Sequence, residues 1–295
     1  MRKPVELSYR RRINLVIAHI GAHLDAPLDG VELAEIAAMS RYHFHRVFAA
    51  ITGLTPAEYV FLARMSRAAE GLRNSRATVM QVALDVGFES GPALAKALRR
   101  FFGMSASEIR NAAVDPRLTL SVKETPSQRR RKESAMIPPS IIDMPAQQVL
   151  CATERGRANN DMGPAARRAF QRLFAGAEAM GVLPQVNRNI AIAPDAPRGP
   201  DDPDQRFVAG YVVDGVMPPL ADGLHQETIV AGRWAVFRHV GPYTTLWQAW
   251  SRAYRDWVPQ SGVALRDVPP FEHYVNEPTE VPPEALITDI YVPIA

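Results

Sequence analysis

A pattern of polar and apolar residues around residues 40–58 recurs fifty residues later, and this repeat constrains the fold more than any other feature. The aligned pairs are Ser40 and Ser90, Phe44 and Leu94, Arg46 and Lys96, Phe48 and Leu98, Gly53 and Gly103, and Glu58 and Glu108. At 100° per residue, each copy has an apolar face and an opposite face that carries its more polar residues. A duplicated amphipathic helix within one hundred residues predicts an all-α region built from two similar units.

Each copy follows a shorter helical pattern and a tight turn. The predicted helices span residues 9–24, 31–39, 40–51, 57–73, 79–86 and 90–102. Ser40 is a suitable N-cap, because its hydroxyl can accept from a free amide of the first turn. Two short helices joined by a tight turn form a helix-turn-helix, whose second helix can enter the major groove of DNA. An isolated amphipathic helix is more often a solvated surface helix, so the duplication carries the DNA-binding prediction.

The charge is divided unevenly along the 295 residues. Residues 1–135 hold 21 Lys and Arg against 13 Asp and Glu, whereas residues 136–295 hold 13 against 18. A basic first half favours a polyanionic partner, and an acidic second half favours a different one. A single cysteine, Cys151, excludes a disulfide framework and a cysteine-based metal site. No signal peptide or membrane span is recognisable, so we expect a cytoplasmic protein without a membrane partner or cofactor.

The periodicity changes after a stretch rich in Pro, Ser and basic residues, which we interpret as a flexible linker over residues 113–139. Its basic run, Arg129 to Lys132, could contact the DNA backbone or remain solvated. We predict strands at 147–156, 189–194, 207–213, 228–241, 271–276 and 286–294, and helices at 162–181 and 243–258. The stretch at 194–205 is predicted to be a hairpin loop. The chain is therefore predicted to be multidomain, with an α+β domain of two strand-helix-strand-strand repeats at 140–295 after a helical domain at 1–112.

Residues 9–110 resemble the DNA-binding domain of the AraC/XylS family of transcription regulators. The segments that carry the resemblance are LAEIAAMSRYHFHRVFAAITGLTPAEYV and QVALDVGFESGPALAKALRRFFGMSASEIR. By position, the resemblance implies base-reading sites at Tyr42, His45 and Arg46 in the first copy, and at Gly91, Pro92, Ala95 and Lys96 in the second. The second copy departs from the family, since Leu94 and Leu98 stand where Phe is common.

The residue types suggest unequal roles for the two copies. Arg46 can donate two hydrogen bonds to a guanine edge, and Arg41 lies at the helix start, where phosphate contacts are common. Lys96 and Arg99 are expected to grip phosphates, with plain solvation as the alternative. We therefore predict that the first copy reads sequence and the second mainly supplies affinity, with His43 in a structural role.

Residues 140–295 resemble the GyrI-like effector-binding domain, through HVGPYTTLWQAWSRAYRDWVPQSG, FEHYVNEP and the terminal TDIYVPI. The resemblance implies a small-molecule site in which a glutamate next to aromatic residues binds hydrophobic, often cationic ligands, as in multidrug sensing. Glu272 and Tyr274 lie two apart on a strand and therefore share a face. A cation would offset the cost of a carboxylate among rings, although a salt bridge to Arg238 or Arg233 is an alternative.

The predicted helix at 243–258 carries five aromatic residues. One stripe, with Leu246, Trp250, Ala253 and Trp257, is expected to be core, whereas Tyr243, Trp247 and Tyr254 lie nearer a cleft edge. We place Tyr243 in the ligand pocket, because it follows the Gly-Pro turn at 241–242. Trp247 and Trp234 are further pocket candidates, with packing as the alternative for each.

Three functions are compatible with this organisation. The first is a DNA-binding regulator that senses a small hydrophobic, cationic molecule and that is not an enzyme. The second is a GyrI-like hydrolase tethered to DNA, with Glu272 as general base. The third is a ligand-independent regulator whose second half contacts another protein, for which RNA polymerase is a candidate. No Ser/His/Asp, Cys/His or metal-ligand cluster is recognisable, and catalysis does not account for a duplicated DNA-binding unit.

Overall fold

The computed structural model describes residues 4–74, 76–111, 138–159, 161–195 and 201–295, with side chains from Tyr9 onward in the first helix. The linker predicted at 113–139, including the basic run, lies outside the described residues except for residues 138 and 139. The domain boundaries therefore stay predictions. Within the described ranges, no helix is both long enough and apolar enough to span a membrane.

The first half is helical, as the repeat predicts. Its helices are α1 (Pro4–Ala22), α2 (Gly30–Ile36), α3 (Arg41–Thr52), α4 (Pro56–Asn74), α5 (Val79–Asp85), α6 (Gly91–Phe102) and α7 (Ala106–Asn111). We call α2 with α3 the first unit and α5 with α6 the second unit. The predicted helices agree with these bounds to within about five residues, and α7 was not predicted.

The two units end their second helices in the same way and begin them differently. Gly53 after α3 and Gly103 after α6 have φ values of 80° and 70°, a left-handed conformation that glycine adopts without steric cost. The Ser90 hydroxyl accepts from the Ala93 amide and caps α6. Ser40 occupies the N-cap position of α3, but the prediction that its side chain caps the helix is wrong, because no such hydrogen bond forms.

The second half is built on one antiparallel sheet. Its strands are β1 (Ser140–Met144), β2 (Gln147–Arg157), β3 (Val186–Ile192), β4 (Asp202–Val213), β5 (His225–Ile229), β6 (Gly232–Val240), β7 (Phe271–Tyr274) and β8 (Ile287–Ile294). The strand order is β1-β6-β8-β7-β3-β4-β2-β5. The observed strands differ from the predicted ones in three places. Strand β1 has no predicted counterpart, the strand predicted at 228–241 is interrupted between β5 and β6, and β4 begins inside the predicted hairpin loop.

The sheet is made of two repeats that meet at its centre. One repeat is β2, helix α8 (Gly163–Ala179), β3 and β4. The other is β6, a helical stretch, β7 and β8. The helical stretch contains a 3₁₀ turn (Tyr243–Thr245), α9 (Trp247–Ser251), a π-helical segment (Arg252–Trp257) and α10 (Val258–Ser261). Strands β3 and β7 pair at the centre, which confirms the predicted α+β class and leaves these strands between α8 and the helical stretch, which pack on the same face of the sheet.

The first unit shares a buried apolar cluster with the second half. From the helical region the cluster includes Ile13, Phe44 and Phe48, and from the second half it includes Phe237, Leu246 and Ile290. The second unit has a separate cluster with Leu94, Leu98 and Met65. Burial of apolar surface stabilises contacts at ~25 cal/mol per Å². The first unit is therefore docked on the second half, whereas the core of the second unit is built within the helical region.

Candidate ligand site and candidate nucleic-acid interface

Strand β7 places Glu272 and Tyr274 on the same face, as the spacing predicts. The Tyr274 hydroxyl donates a hydrogen bond of 2.7 Å to Glu272 Oε2. From the helical stretch, Trp250 Nε1 donates a hydrogen bond of 2.7 Å to Glu272 Oε1. Both oxygens of the carboxylate are thus fixed by aromatic residues that belong to two different elements.

Further rings extend this group. The Tyr274 ring lies edge-on to Tyr243, with ring centroids 5.4 Å apart, and to Phe170 of α8, with centroids 5.8 Å apart. We call Phe170, Tyr243, Trp250 and Tyr274 the aromatic cage. The cage draws on α8, on the helical stretch and on central strand β7, so it lies where the two repeats meet. A carboxylate among aromatic rings can attract a cation through its charge, and the ring quadrupoles add to this attraction.

The electrostatics of Glu272 follow from this environment. Burial raises the pKa of the Glu272 carboxyl, whereas the hydrogen bonds from Tyr274 and Trp250 and the positive charge of Arg46 act in the opposite direction. Desolvation disfavours the charged form, so a cation placed against the carboxylate would stabilise the charged form. The two arginines considered as salt-bridge partners are engaged elsewhere: Arg238 pairs with Asp289, and Arg233 bonds to the Ala295 carbonyl.

The structure brings only some of the sequence-predicted pocket residues together. Tyr243 joins the cage and is 40% exposed, whereas Trp247 is 63% exposed at the surface. Trp234 is 1% exposed and packs edge-on against Phe271 and Tyr291. Because side chains alternate between the faces of a strand, Phe271 faces away from Glu272. Trp234 is therefore a core residue on the opposite face of the sheet and does not belong to the cage.

Sequence reasoning missed Trp250 and Phe170. Trp250 was expected in a core stripe with Leu246 and Ala253, which are indeed buried. The helical stretch begins with a 3₁₀ turn at Tyr243–Thr245 and continues into the π-helical segment, so one angle of 100° per residue does not hold along it. The signal that could have found Trp250 is its indole N–H, which needs a hydrogen-bond acceptor when it is buried.

Helix α3 directs Arg46 toward the second half. The guanidinium donates to the carbonyls of Ala193 and Asp195 at 3.0 and 2.8 Å, and to the carbonyl of Tyr42 in its own helix. Its central carbon lies 5.1 Å from the Trp250 ring centroid and 5.9 Å from that of Tyr254. Arg46 was predicted to contact a base, and in this conformation its guanidinium is instead committed to the second half.

His43 fixes the same contact from about one turn earlier in α3. It is 2% exposed, in agreement with the structural role predicted for it. Its Nε2 lies 2.9 Å from the Arg266 carbonyl and its Nδ1 lies 2.8 Å from the Tyr254 hydroxyl. A carbonyl can only accept, so Nε2 carries the proton and Nδ1 accepts from Tyr254. Burial and the charge of Arg46 lower the pKa of His43 to about 4, so the ring is neutral near pH 7.

The other predicted DNA contacts of α3 are Arg41, Tyr42 and His45. Arg41 is exposed, and its guanidinium lies 4.9 Å from the Tyr42 ring centroid and donates to the Tyr42 hydroxyl. The His45 ring packs over Gly30 at the start of α2, where a Cβ would stand 2.7 Å from His45 Nε2. These three residues stay candidate DNA contacts.

Helix α6 presents most of its predicted contact residues to solvent, whereas Gly91 is buried. Pro92, Lys96 and Arg99 are exposed, and together with Ala95 they line one depression of the surface. Leu94 and Leu98 are fully buried on the opposite side, where they replace the Phe residues of the first unit. The geometry suits contact with a phosphate backbone, and the assignment of these residues to DNA stays a prediction.

Comparisons with known proteins match both halves. The model of the GyrI-like small molecule binding domain matches residues 137–295, and that of a helix-turn-helix domain matches residues 33–112. The transcriptional regulator ArgR of Pseudomonas aeruginosa is 33% identical over 90 residues, which are 30% of this chain and 27% of that protein. The regulatory protein SoxS of Escherichia coli K12 is 29% identical over 105 residues, which are 36% of this chain and 98% of that protein.

A solved structure, the DNA-binding domain of AdpA in complex with a target DNA, is 35% identical in sequence to the part that it matches. The match covers 33% of this chain and 88% of that one, with a TM-score of 0.32. All three proteins thus match about a third of this chain, and the match with ArgR spans about a quarter of the length of that relative.

Proposed function

Because the chain belongs to the GyrI-like family of small-molecule-binding domains over residues 137–295 and carries an AraC-type helix-turn-helix domain at 33–112, we propose that it is a DNA-binding transcription regulator that senses a hydrophobic cation. The duplicated units supply two helices for successive segments of the major groove, ~34 Å apart along the duplex. The aromatic cage around Glu272 supplies the ligand site.

The environment of Glu272 indicates the chemical class of the ligand. Glu272 is held by two aromatic donors inside the cage, and burial raises the pKa of its carboxyl. A buried carboxylate costs free energy unless a positive charge accompanies it. A cation with aromatic or aliphatic bulk would supply that charge and pack against the rings of Phe170 and Tyr243. This chemistry favours a lipophilic cation over a neutral or anionic ligand.

The proposal is tested by titration calorimetry with tetraphenylphosphonium, with triphenylphosphine oxide as an uncharged ligand of similar shape. We expect the cation to bind and the oxide to bind at least about tenfold more weakly, since a cation–π contact alone is worth ~0.5–2 kcal/mol. Glu272→Gln should abolish this preference for charge. The matched control is Glu284→Gln, which removes the same charge from an exposed position. Equal binding of both compounds would contradict the proposal.

Hydrolysis is a second candidate, favoured by one observation. Tyr274 donates to Glu272 at 2.7 Å, and a carboxylate of raised pKa next to a tyrosine hydroxyl is suited to proton transfer. A turnover assay over esters and amides with aromatic groups separates the two functions. A sensor binds such compounds without consuming them, whereas an enzyme would release product at a rate that Glu272→Gln lowers.

A further inference from the structure

Arg46 stands beside the candidate ligand site as a cation would. The ring of Trp250 faces the Arg46 guanidinium at 5.1 Å, while the indole N–H of the same residue donates to Glu272. One tryptophan therefore joins the arginine to the carboxylate. An arginine over an indole is a favoured cation–π arrangement, and its positive charge acts on Glu272. The chain thus places its own positive charge against the residues proposed to bind a ligand cation.

The guanidinium is held there by directional bonds as well as by charge. The carbonyls of Ala193 and Asp195, just beyond β3, both accept from Nη2. Hydrogen bonds from a charged donor are about twice as strong as those between neutral groups. The Asp195 carboxylate in turn pairs with Arg206 on β4 at 2.8 Å, which ties this segment to the sheet. Arg46 is therefore held by hydrogen bonds at a segment that is itself fixed to the sheet.

Two other contacts dock the helical region at the same surface. His43 bonds to Tyr254 and to the Arg266 carbonyl. The Tyr9 hydroxyl of α1 donates to the Val263 carbonyl and accepts from the Leu265 amide, each at 3.3 Å. With Arg46 so engaged, a DNA base cannot reach its guanidinium until α3 separates from the second half. The second unit makes no comparable contact among the described residues.

We propose that Arg46 occupies the edge of the candidate ligand site when no ligand is bound. A lipophilic cation that binds there displaces Arg46 and frees α3 for DNA. This inference rests on the proposed function and names the regulation of its site. In the docked form, α3 lies against the second half, and the protein binds the cation and its specific DNA site weakly. In the undocked form, α3 is free, and the protein binds both. Each ligand therefore tightens the binding of the other, because coupling between two sites is reciprocal.

The first test compares the affinity of the full chain for tetraphenylphosphonium before and after Arg46 is neutralised. Arg46→Met keeps much of the side-chain length and removes the charge and the donors. We expect it to bind the cation at least about tenfold more tightly, because the docked form lowers the apparent affinity in proportion to its population. Arg67→Met, on the exposed side of α4, is the matched control and should bind like the unchanged protein.

A second variant keeps the test decisive if Arg46→Met fails to fold. Tyr9→Phe removes the hydroxyl that bonds to Val263 and Leu265, and it leaves the cage and the DNA-contacting residues intact. Loss of a hydrogen bond worth ~1 kcal/mol should raise cation affinity by up to about fivefold. If the unchanged protein binds the cation and every variant that folds binds it with the same affinity, the inference is overturned and the proposed function stands. No binding to any of these proteins would overturn the proposed function as well.

Discussion

Helices α3 and α6 carry the same sequence pattern and differ in what covers them. Both end at a left-handed glycine and bury their apolar side chains. The polar side of α6 is exposed, whereas α3 holds His43 and Arg46 against the second half. A duplicated motif therefore does not imply two equally accessible copies. The copy with the richer set of hydrogen-bond donors is the one that the second half holds, so regulation would act on sequence recognition rather than on general DNA affinity.

The largest expected effect is on sequence discrimination by α3. Arg46→Ala should reduce the preference for one base pair by ~1–3 kcal/mol, because a bidentate contact to a base edge is lost. The measurement is the ratio of affinities for duplexes that differ at single positions. Both proteins are measured with saturating tetraphenylphosphonium, so that α3 is undocked in each and the ratio reports the base contact alone. An unchanged ratio at every position would show that Arg46 does not read a base.

The next effect is a pH dependence of docking through His43. Its pKa is about 4 when docked, below its ordinary value of 6.5, so protons bind preferentially to the undocked form. The contribution of His43 to docking is present above pH 6.5 and is lost as the pH falls toward 4. Between pH 7 and pH 5 the loss is about 2 kcal/mol.

Hydrogen exchange of the α3 amides, corrected for the intrinsic rate at each pH, reports this change. Protection should fall on acidification in the unchanged protein and should depend less on pH in His43→Gln. The same pH dependence in both proteins would assign the effect to another group.

A smaller effect on docking is expected from Tyr254→Phe. The change removes the donor to His43 Nδ1 and keeps the ring that stacks on Trp250. Docking should weaken by ~1 kcal/mol, the usual contribution of one hydrogen bond. The α3 amides should then exchange faster, whereas Tyr211→Phe, in the other repeat, should leave them unchanged. Equal protection in all three proteins would exclude this hydrogen bond as a docking contact.

The smallest effect is expected on α6. Lys96→Ala should weaken binding to all duplexes alike and reduce the slope of log affinity against log salt by about 1, since one phosphate contact is lost. Its effect on base discrimination should be negligible. Loss of discrimination equal to that of Arg46→Ala would contradict the unequal roles of the two helices.

The sequence was sufficient for those parts of the fold that depend on local patterns. The repeat located both units, and the alternation of strand residues placed Glu272 and Tyr274 on one face. The docked surface could not be predicted in this way. The bond between His43 and Tyr254 joins residues 211 positions apart, and no periodicity encodes such a pairing. Trp250 was missed because the helical stretch changes type twice within fifteen residues. Direct contact between the halves provides a route for a ligand signal that does not use the linker predicted at 113–139.

The proposed regulation requires that the cation and DNA bind the same undocked form. It is tested most directly by the affinity of the full chain, with and without saturating tetraphenylphosphonium, for a duplex selected from random sequence by the protein itself. We predict that the cation tightens DNA binding about tenfold in the unchanged protein, to a smaller extent in Tyr9→Phe, and not at all in Glu272→Gln. Unchanged or weakened DNA binding, in a protein that calorimetry shows to be saturated with the cation, would contradict it.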